Sequence, residues 1–596
     1  MAGHPALRRM ISTWLFQRSS ILEAGNPGMP YRSVQLFIER VRRRMKALPP
    51  DLVFVVCICL LTILISLPLF RNQIIQLGDG TCAFTKAIAM FQSWRDGDWV
   101  GRLTPDIIRG YGYPMFNFYS PLFFYGAAII MFAGIPVFLA FNMILVLLLL
   151  ISGLGMYFLA KDIWGRDGGF LAAIAYLLMP FHIADLYVRG AVAEFAAFAF
   201  MPFILWSIRR VMAQGDAGWI CAGVLATGGL ILSHNITTML FLPVSFLYVL
   251  FIFFTDARRD FRRLAGGMLI LAGGVALSAY FWLPALVEKG AVQIERLLTS
   301  QYQYGNNFYP FVNLLISPWG PKDGAGTPHM IGLVQLLLAL GVVLSWKRLQ
   351  SSVKGSGGQV LFFALFVGGF VFLMLKASMP VWQALPLLAY TQFPVRLLVP
   401  VSVAIAVLAG GIVPAVDERW QKPVLWWAVA AVIAANISFC HPFGYQKISY
   451  SSAREYLTGA LPMDNMEFLP RGVRQISLAP PDERLQVIAG EAQVSRGAQT
   501  ALERRYHVRV GSAAVFFYHV YYFPGWQVEI DRQNVPVRND NPYGVVMFVV
   551  PLGEHEVRIH FGTTPVRAAA QTISLVALVL LCAGSVGLLW RRQCQS

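Results

Sequence analysis

The chain has 596 residues, of which 57% are hydrophobic and 13% charged, against roughly 25% charged in a soluble protein. A water-soluble globule is excluded, and an integral membrane protein remains. The 48 Lys and Arg against 31 Asp and Glu give a net charge of +17, which in such a chain belongs to cytoplasmic loops and anionic lipid headgroups. That assignment speaks against nucleic acid as a partner. Cys57, Cys59, Cys82, Cys221, Cys440, Cys582 and Cys594 mostly lie in apolar runs and show no paired spacing of a disulfide framework or zinc site.

In chain order, residues 1–50 read as a cytoplasmic arm. Val34, Phe37, Val41, Met45 and Leu48 recur at helical spacing beside Arg40, Arg42, Arg43, Arg44 and Lys46, the pattern of an amphipathic helix on a membrane face. The first apolar run starts near Leu52, too late for a secretory signal, and is a retained anchor. Further runs of spanning length start near Pro136, Gly168, Ala191, Trp219, Thr237, Leu264, His329, Val360, Val395, Pro423 and Gln571. Residues 118–135 are short, carry Pro121 and are crowded with aromatic rings. They read as a helix lying in the outer interface. With that segment not crossing, the clusters Lys161/Arg166, Arg209/Arg210, Arg258/Arg259/Arg262/Arg263, Lys347/Arg348, Arg419/Lys422 and Arg591/Arg592 all fall inside. The expectation is a polytopic α-helical membrane protein with about twelve transmembrane helices and both termini inside. Residues 51–440 form its membrane domain, with an outer loop over 71–136. Residues 566–596 supply the last helix and a cytoplasmic tail.

Residues 441–565 change character. Alternation in Val515–Tyr522, Trp526–Ile530 and Glu556–Phe561, broken by turns at Phe523-Pro524-Gly525 and Pro551-Leu552-Gly553-Glu554, predicts a small antiparallel, β-sandwich-like domain on the outer side.

Acidic residues at a membrane boundary are costly to desolvate and mark functional sites by default. Asp79 follows the first span, Asp185 closes the third and Glu194 lies just inside the fourth, with Arg189 between them. Each has a bland reading too. Asp185 and Arg189 are spaced to pair on one helical turn, and Asp79 between glycines suits a turn. In the first loop, Arg109-Gly110-Tyr111-Gly112-Tyr113-Pro114 interleaves glycines with aromatics, either to offer ring faces to a sugar or polyprenyl chain or as an interfacial belt. His234-Asn235 at a span end is either a holder of sugar hydroxyls or a helix cap. Glu288-Lys289 is either a binding pair or a surface ion pair.

Asp79 after the first span, the Gly97-Asp98-Trp99 loop, the interfacial helix and the acidic second outer loop resemble the GT-C glycosyltransferases, such as the lipid A aminoarabinose transferases. The chain resembles more closely the bacterial membrane proteins labelled 6-pyruvoyl-tetrahydropterin-synthase-related, a GT-C-like group whose label implies nothing about pterins. The stretches that carry this are Gly110–Pro114, Asp185–Glu194, Leu232–Thr237, Phe281–Glu288, Gln392–Arg396 and Phe523–Trp526. Gly80 stands where the aminoarabinose transferases have Glu, and no His accompanies Asp79.

The resemblance implies a transferase of the bacterial inner membrane that takes a sugar from a polyprenyl-phosphate donor. It would pass that sugar, with inversion, to an extracytoplasmic glycan, lipid or protein. In it Asp79 would be the general base, and Arg189, Arg396, Lys289 and Arg109 would be candidates for the leaving phosphate. Asp185 or Glu194 would orient the acceptor or an optional divalent cation, Mg or Mn. Tyr111, Tyr113, His234, Asn235 and Glu288 would complete the substrate site. The competing readings are a transporter, which favours repeated halves and charged helices at mid-membrane, and a catalytically silent subunit of a polysaccharide assembly machine.

Overall fold

A computed structural model of the chain describes residues 49–595, apart from 72, 76–78, 105–106, 300–301, 318, 320–328, 354, 447–466, 478, 482 and 501. The N-terminal amphipathic helix expected over residues 31–48 lies outside the described residues. Contacts divide the chain into Met1–Cys57 and Ile58–Ser596, and both the candidate site and the β-domain belong to the second unit.

Among the described residues, seven helices are long and apolar enough to cross a membrane, or up to nine if each of two bent pairs counts as one span. The sequence expectation of about twelve differs for identifiable reasons. Two of its runs merge in Val137–Leu177, which is interrupted at Gly165 (φ 80°, ψ 178°), a conformation only glycine adopts readily. Two others are bent, Phe261–Leu277 with Ala279–Ala291 by 67° and Leu333–Leu344 with Trp346–Ser352 by 69°. Trp219–Ser233 and Pro394–Gly410 are apolar but shorter, as is Leu122–Phe132 in the segment expected to lie in the interface. At 11 residues, about 16 Å of helix, Leu122–Phe132 is too short to cross.

Helix Val192–Met212 is the most buried of the spans and packs against Val137–Leu177, Trp219–Ser233 and Asn235–Thr255. Its apolar residues face inward on all sides, and its one acidic residue, Glu194, is in the first turn. The last helix, Pro565–Gln595, packs on the bent pair. There the Ser574 hydroxyl accepts the Tyr280 N–H at 2.8 Å and donates to the Ala276 carbonyl at 3.2 Å, bridging the bend.

The β-domain has the two-sheet form that the alternation predicts. Strands Ala492–Gln499, Glu503–Val510, Gly553–Phe561, Trp526–Ile530 and Gln533–Val535 form one antiparallel sheet in that order. Leu485–Ala489, Ala514–Tyr521 and Val545–Val550 form the other. Inward residues of both sheets are buried, among them Phe516, Tyr518, Trp526, Val528, Val557 and Ile559. Tyr518 meets Trp526 edge to face at 5.6 Å between the sheets.

The domain is docked on the loop that carries Tyr111 and Tyr113. The Tyr521 N–H donates to the Tyr111 carbonyl at 2.7 Å, their rings stack at 5.1 Å, and the Phe468 N–H donates to the Tyr113 hydroxyl at 3.0 Å.

Candidate active site

Asp79 stands at the N-terminus of helix Gly80–Arg95. Its backbone N–H donates to the Arg189 carbonyl at 2.9 Å and its own carbonyl accepts from Ala83 at 2.8 Å. The loop after the first span is thereby fixed to the 185–190 turn. The Asp79 side chain makes no capping bond to the helix, although aspartate at this position ordinarily caps, and the residue is exposed. The carboxylate thus stands uncapped at the positive end of a helix dipole.

Arg189 closes a π-turn over Asp185–Arg189, and Gly190 (φ 66°, left-handed) turns the chain into helix Val192–Met212. This brings the Arg189 guanidinium onto both acids. It donates to Asp185 Oδ1 and, through two nitrogens at 3.2 Å each, to the two carboxylate oxygens of Glu194, a bidentate pairing. Arg396 reaches the same Glu194 carboxylate with Nε at 3.6 Å. Its Nη1 donates to Gln392 Oε1 at 2.7 Å and to the Thr391 carbonyl at 3.1 Å. Each guanidinium also lies over a ring, Arg189 on Phe181 at 5.0 Å and Arg396 on Phe393 at 5.2 Å.

The exposures decide which of these groups can meet a substrate. The Asp185 and Glu194 side chains are 0% and 2% exposed, whereas Arg189 and Arg396 keep 13% and 17%. The cations reach outward and the acids lie beneath them. The geometry of Asp185 and Glu194, expected from the sequence to be catalytic, is that of counter-ions fixing two arginines. Arg189 takes Oδ1 of Asp185 and both oxygens of Glu194, which leaves only Asp185 Oδ2, buried without a hydrogen-bond partner, and suits a divalent ion poorly.

Lys86, which sequence reasoning passed over, belongs to this group. It is buried in helix Gly80–Arg95, with Nζ over the Tyr119 ring at 4.0 Å. Burial alone would push the ammonium down, but Tyr119, Cys82, Asp79 and Glu467 hold it above its ordinary value. Asp79 thus lies within the electrostatic reach of Lys86, Arg189 and Arg396. Its signal in the sequence was a single lysine in the apolar stretch Ala83–Met90, two helical turns after Asp79.

His234 faces the group as well. Burial pushes its imidazole down to about 4 against the pull of the Glu194 carboxylate, and Nδ1 accepts the Thr237 N–H at 3.3 Å as a helix cap. Asn235 is used up structurally: its amide donates to the Phe118 carbonyl at 2.9 Å and its oxygen accepts from Ser120 at 3.0 Å.

Five more expected substrate residues lie elsewhere. Tyr111 and Tyr113 are buried in the contact with the β-domain, so their rings are not presented to ligand. Glu288 is held by Arg567 (2.9 and 3.2 Å), Thr564 (2.8 Å) and Asn117 (2.9 Å), a buried cluster in place of the surface pair. Lys289 beside it is exposed. Arg109 lines a cavity against the β-domain.

The family described as 6-pyruvoyl-tetrahydropterin synthase related, a membrane protein domain, matches residues 116–443, more than half of the chain. The chain is 25% identical over 240 residues to an uncharacterised protein of Lactococcus lactis subsp. cremoris (strain MG1363), 39% of each chain. Among solved structures it is similar to the arabinofuranosyltransferase AftD from Mycobacteria (TM-score 0.42, 14% identity), over 66% of this chain and 27% of that one. It is also similar to ArnT from Cupriavidus metallidurans bound to undecaprenyl phosphate (TM-score 0.41, 18% identity), over 64% of this chain and 63% of that one. Each match spans less than two thirds of the relative's own length.

Proposed function

We propose that this chain, which belongs to the family of 6-pyruvoyl-tetrahydropterin synthase related membrane proteins, is a membrane glycosyltransferase. It moves a sugar from a polyprenyl-phosphate donor to a hydroxyl of an extracytoplasmic glycan or lipid. The observation that carries the reading is the single backbone bond from Asp79 to Arg189, which ties an uncapped, exposed carboxylate to the guanidinium groups suited to a leaving phosphate.

In this mechanism Asp79 takes the proton of the acceptor hydroxyl. The acceptor oxygen attacks the anomeric carbon as the bond from that carbon to the phosphate oxygen breaks, and the electron pair leaves with polyprenyl phosphate. Configuration inverts. Arg189 and Arg396, fixed by Asp185 and Glu194, stabilise the dianion that develops. Lys86 and His234 adjoin the same space.

A general base contributes about 10²–10⁴-fold. Asp79→Asn, which keeps shape and removes basicity, is expected to lower turnover of a labelled polyprenyl-phosphate sugar by about that range, with expression and unfolding midpoint retained. Stable Asp79→Asn protein with undiminished transfer would remove Asp79 from the mechanism.

A further inference from the structure

We propose that the cavity between the 107–113 loop and the β-domain binds the oxyanion of an acidic saccharide, its phosphate or its carboxylate. The inference rests on the transferase reading for the role of that saccharide, which is a unit of the acceptor remote from the hydroxyl that Asp79 serves. The cavity shares no lining residue with the Asp79 group. Its volume of about 280 Å³ is near the small end for ligand pockets, room for one sugar acid and not for a chain.

The lining charge is lopsided. Among the described residues, Arg109 from the loop and Arg484, Arg496 and Arg504 from the β-domain surround it, against one lining carboxylate, Glu483, with Tyr506 as a wall. Arg484 is committed to the Gly110 and His519 carbonyls, which locks the loop to the domain and holds the cavity's shape. The others are less engaged. Among the described residues Arg496 and Arg504 make no ion pair, Arg504 donates from Nη1 to Gln499 Oε1 at 2.8 Å, and Nε of Arg109 and Nε of Arg504 are buried without a hydrogen-bond partner. Buried donors ordinarily have acceptors, and guanidinium groups match phosphate and carboxylate oxygens in geometry.

The loop is shaped for this as well. Ile108 and Arg109 both sit at positive φ (54° and 56°), a costly conformation for non-glycine residues and one that marks ligand sites. Bonds from Tyr111 to the Ile108 carbonyl (3.0 Å) and from Gly112 to the Ile107 carbonyl (3.0 Å) hold it. No candidate span contributes to the lining, which points to a water-borne saccharide in preference to a lipid headgroup.

The test uses the full chain in nanodiscs of neutral phosphatidylcholine and isothermal titration with glucose 1-phosphate, glucuronate and glucose. One or both acidic sugars are expected to bind and glucose not, and which acid binds tells phosphate from carboxylate. Arg496→Gln with Arg504→Gln should weaken that binding about tenfold or more, and Arg496→Gln alone, at an exposed position, should weaken it in the same direction if the double variant is unstable. Binding to the Asp79→Asn protein should be unchanged, so a failed transfer mechanism and a failed binding site read out separately. The proposal is overturned if neither acid binds, if glucose binds equally, or if the arginine variants bind the acids as the parent does. Loss of acid binding in discs containing phosphatidylglycerol assigns the cavity to a lipid headgroup and overturns it too.

Discussion

Arg189 is joined to two carboxylates and still keeps an open edge, an arrangement in which each neighbour of the guanidinium limits what it can do. The histidines nearby show the other effect of the same burial. His234 is driven to about 4 and His329 to about 3 from an ordinary 6.5, in both cases chiefly by loss of solvent. The unfolded chain takes up these protons near pH 6.5 and the native one only near 4 and 3. Stability is therefore full above about 6.5 and falls as pH drops from there toward 4. His234→Asn, which keeps a capping acceptor, should make this decline shallower when unfolding midpoints are measured against pH, and identical slopes would show that His234 titrates normally. The acids of the site were legible because a carboxylate beside an apolar run is anomalous whatever the fold. Their roles were not, since sequence does not say which of two paired groups ends up beneath the other. Lys86 was missed because one lysine in an apolar helix resembles an interfacial anchor until Tyr119 and Asp79 are placed beside it.

At the level of elements, the β-strands were read correctly where burial alternates along one face, as in Ala514–Tyr521 and Trp526–Ile530. The membrane helices were legible as apolar runs but not as lengths. A glycine break at 165 and a bend at Ser278 are set by what packs against them, and the Ser574 bridge is contributed from nearly 300 positions away. The same distance hides the partner of Glu288. Arg567 is 1% exposed and Glu288 6% in their ion pair, and it joins the segment before residue 290 to the start of the final helix. Breaking one side of a buried pair typically costs about 3–5 kcal/mol. Glu288→Gln should therefore lower chemical unfolding stability in detergent micelles by about 3 kcal/mol and leave donor KM near its parent value. Unchanged stability with a raised KM would restore Glu288 to the substrate site.

Across the whole molecule, charge is sorted along the helices. Val192–Met212 carries Glu194 in its first turn and Arg209 and Arg210 in its last, about 30 Å of helix overall, the thickness of a bilayer core. Arg210 pairs with Asp162 at 2.6 Å and Lys422 with Asp167 at 2.8 Å, close to the Gly165 break. Glu194 instead meets Arg189 and Arg396. The described ion pairs of the spans thus lie at their ends and not at mid-membrane, which suits a one-sided site better than a transport path. The basic ends should face the cytoplasm, and the Asp79 group with the β-domain should face the opposite side. A cysteine introduced near Asp96 and one near Asn534 are then expected to react with an impermeant thiol reagent in intact cells, with the parent chain's own cysteines as background. One near Arg210 should react only after the membrane is opened. The reverse pattern would put the Asp79 group on the cytoplasmic side, where an extracytoplasmic acceptor could not reach it.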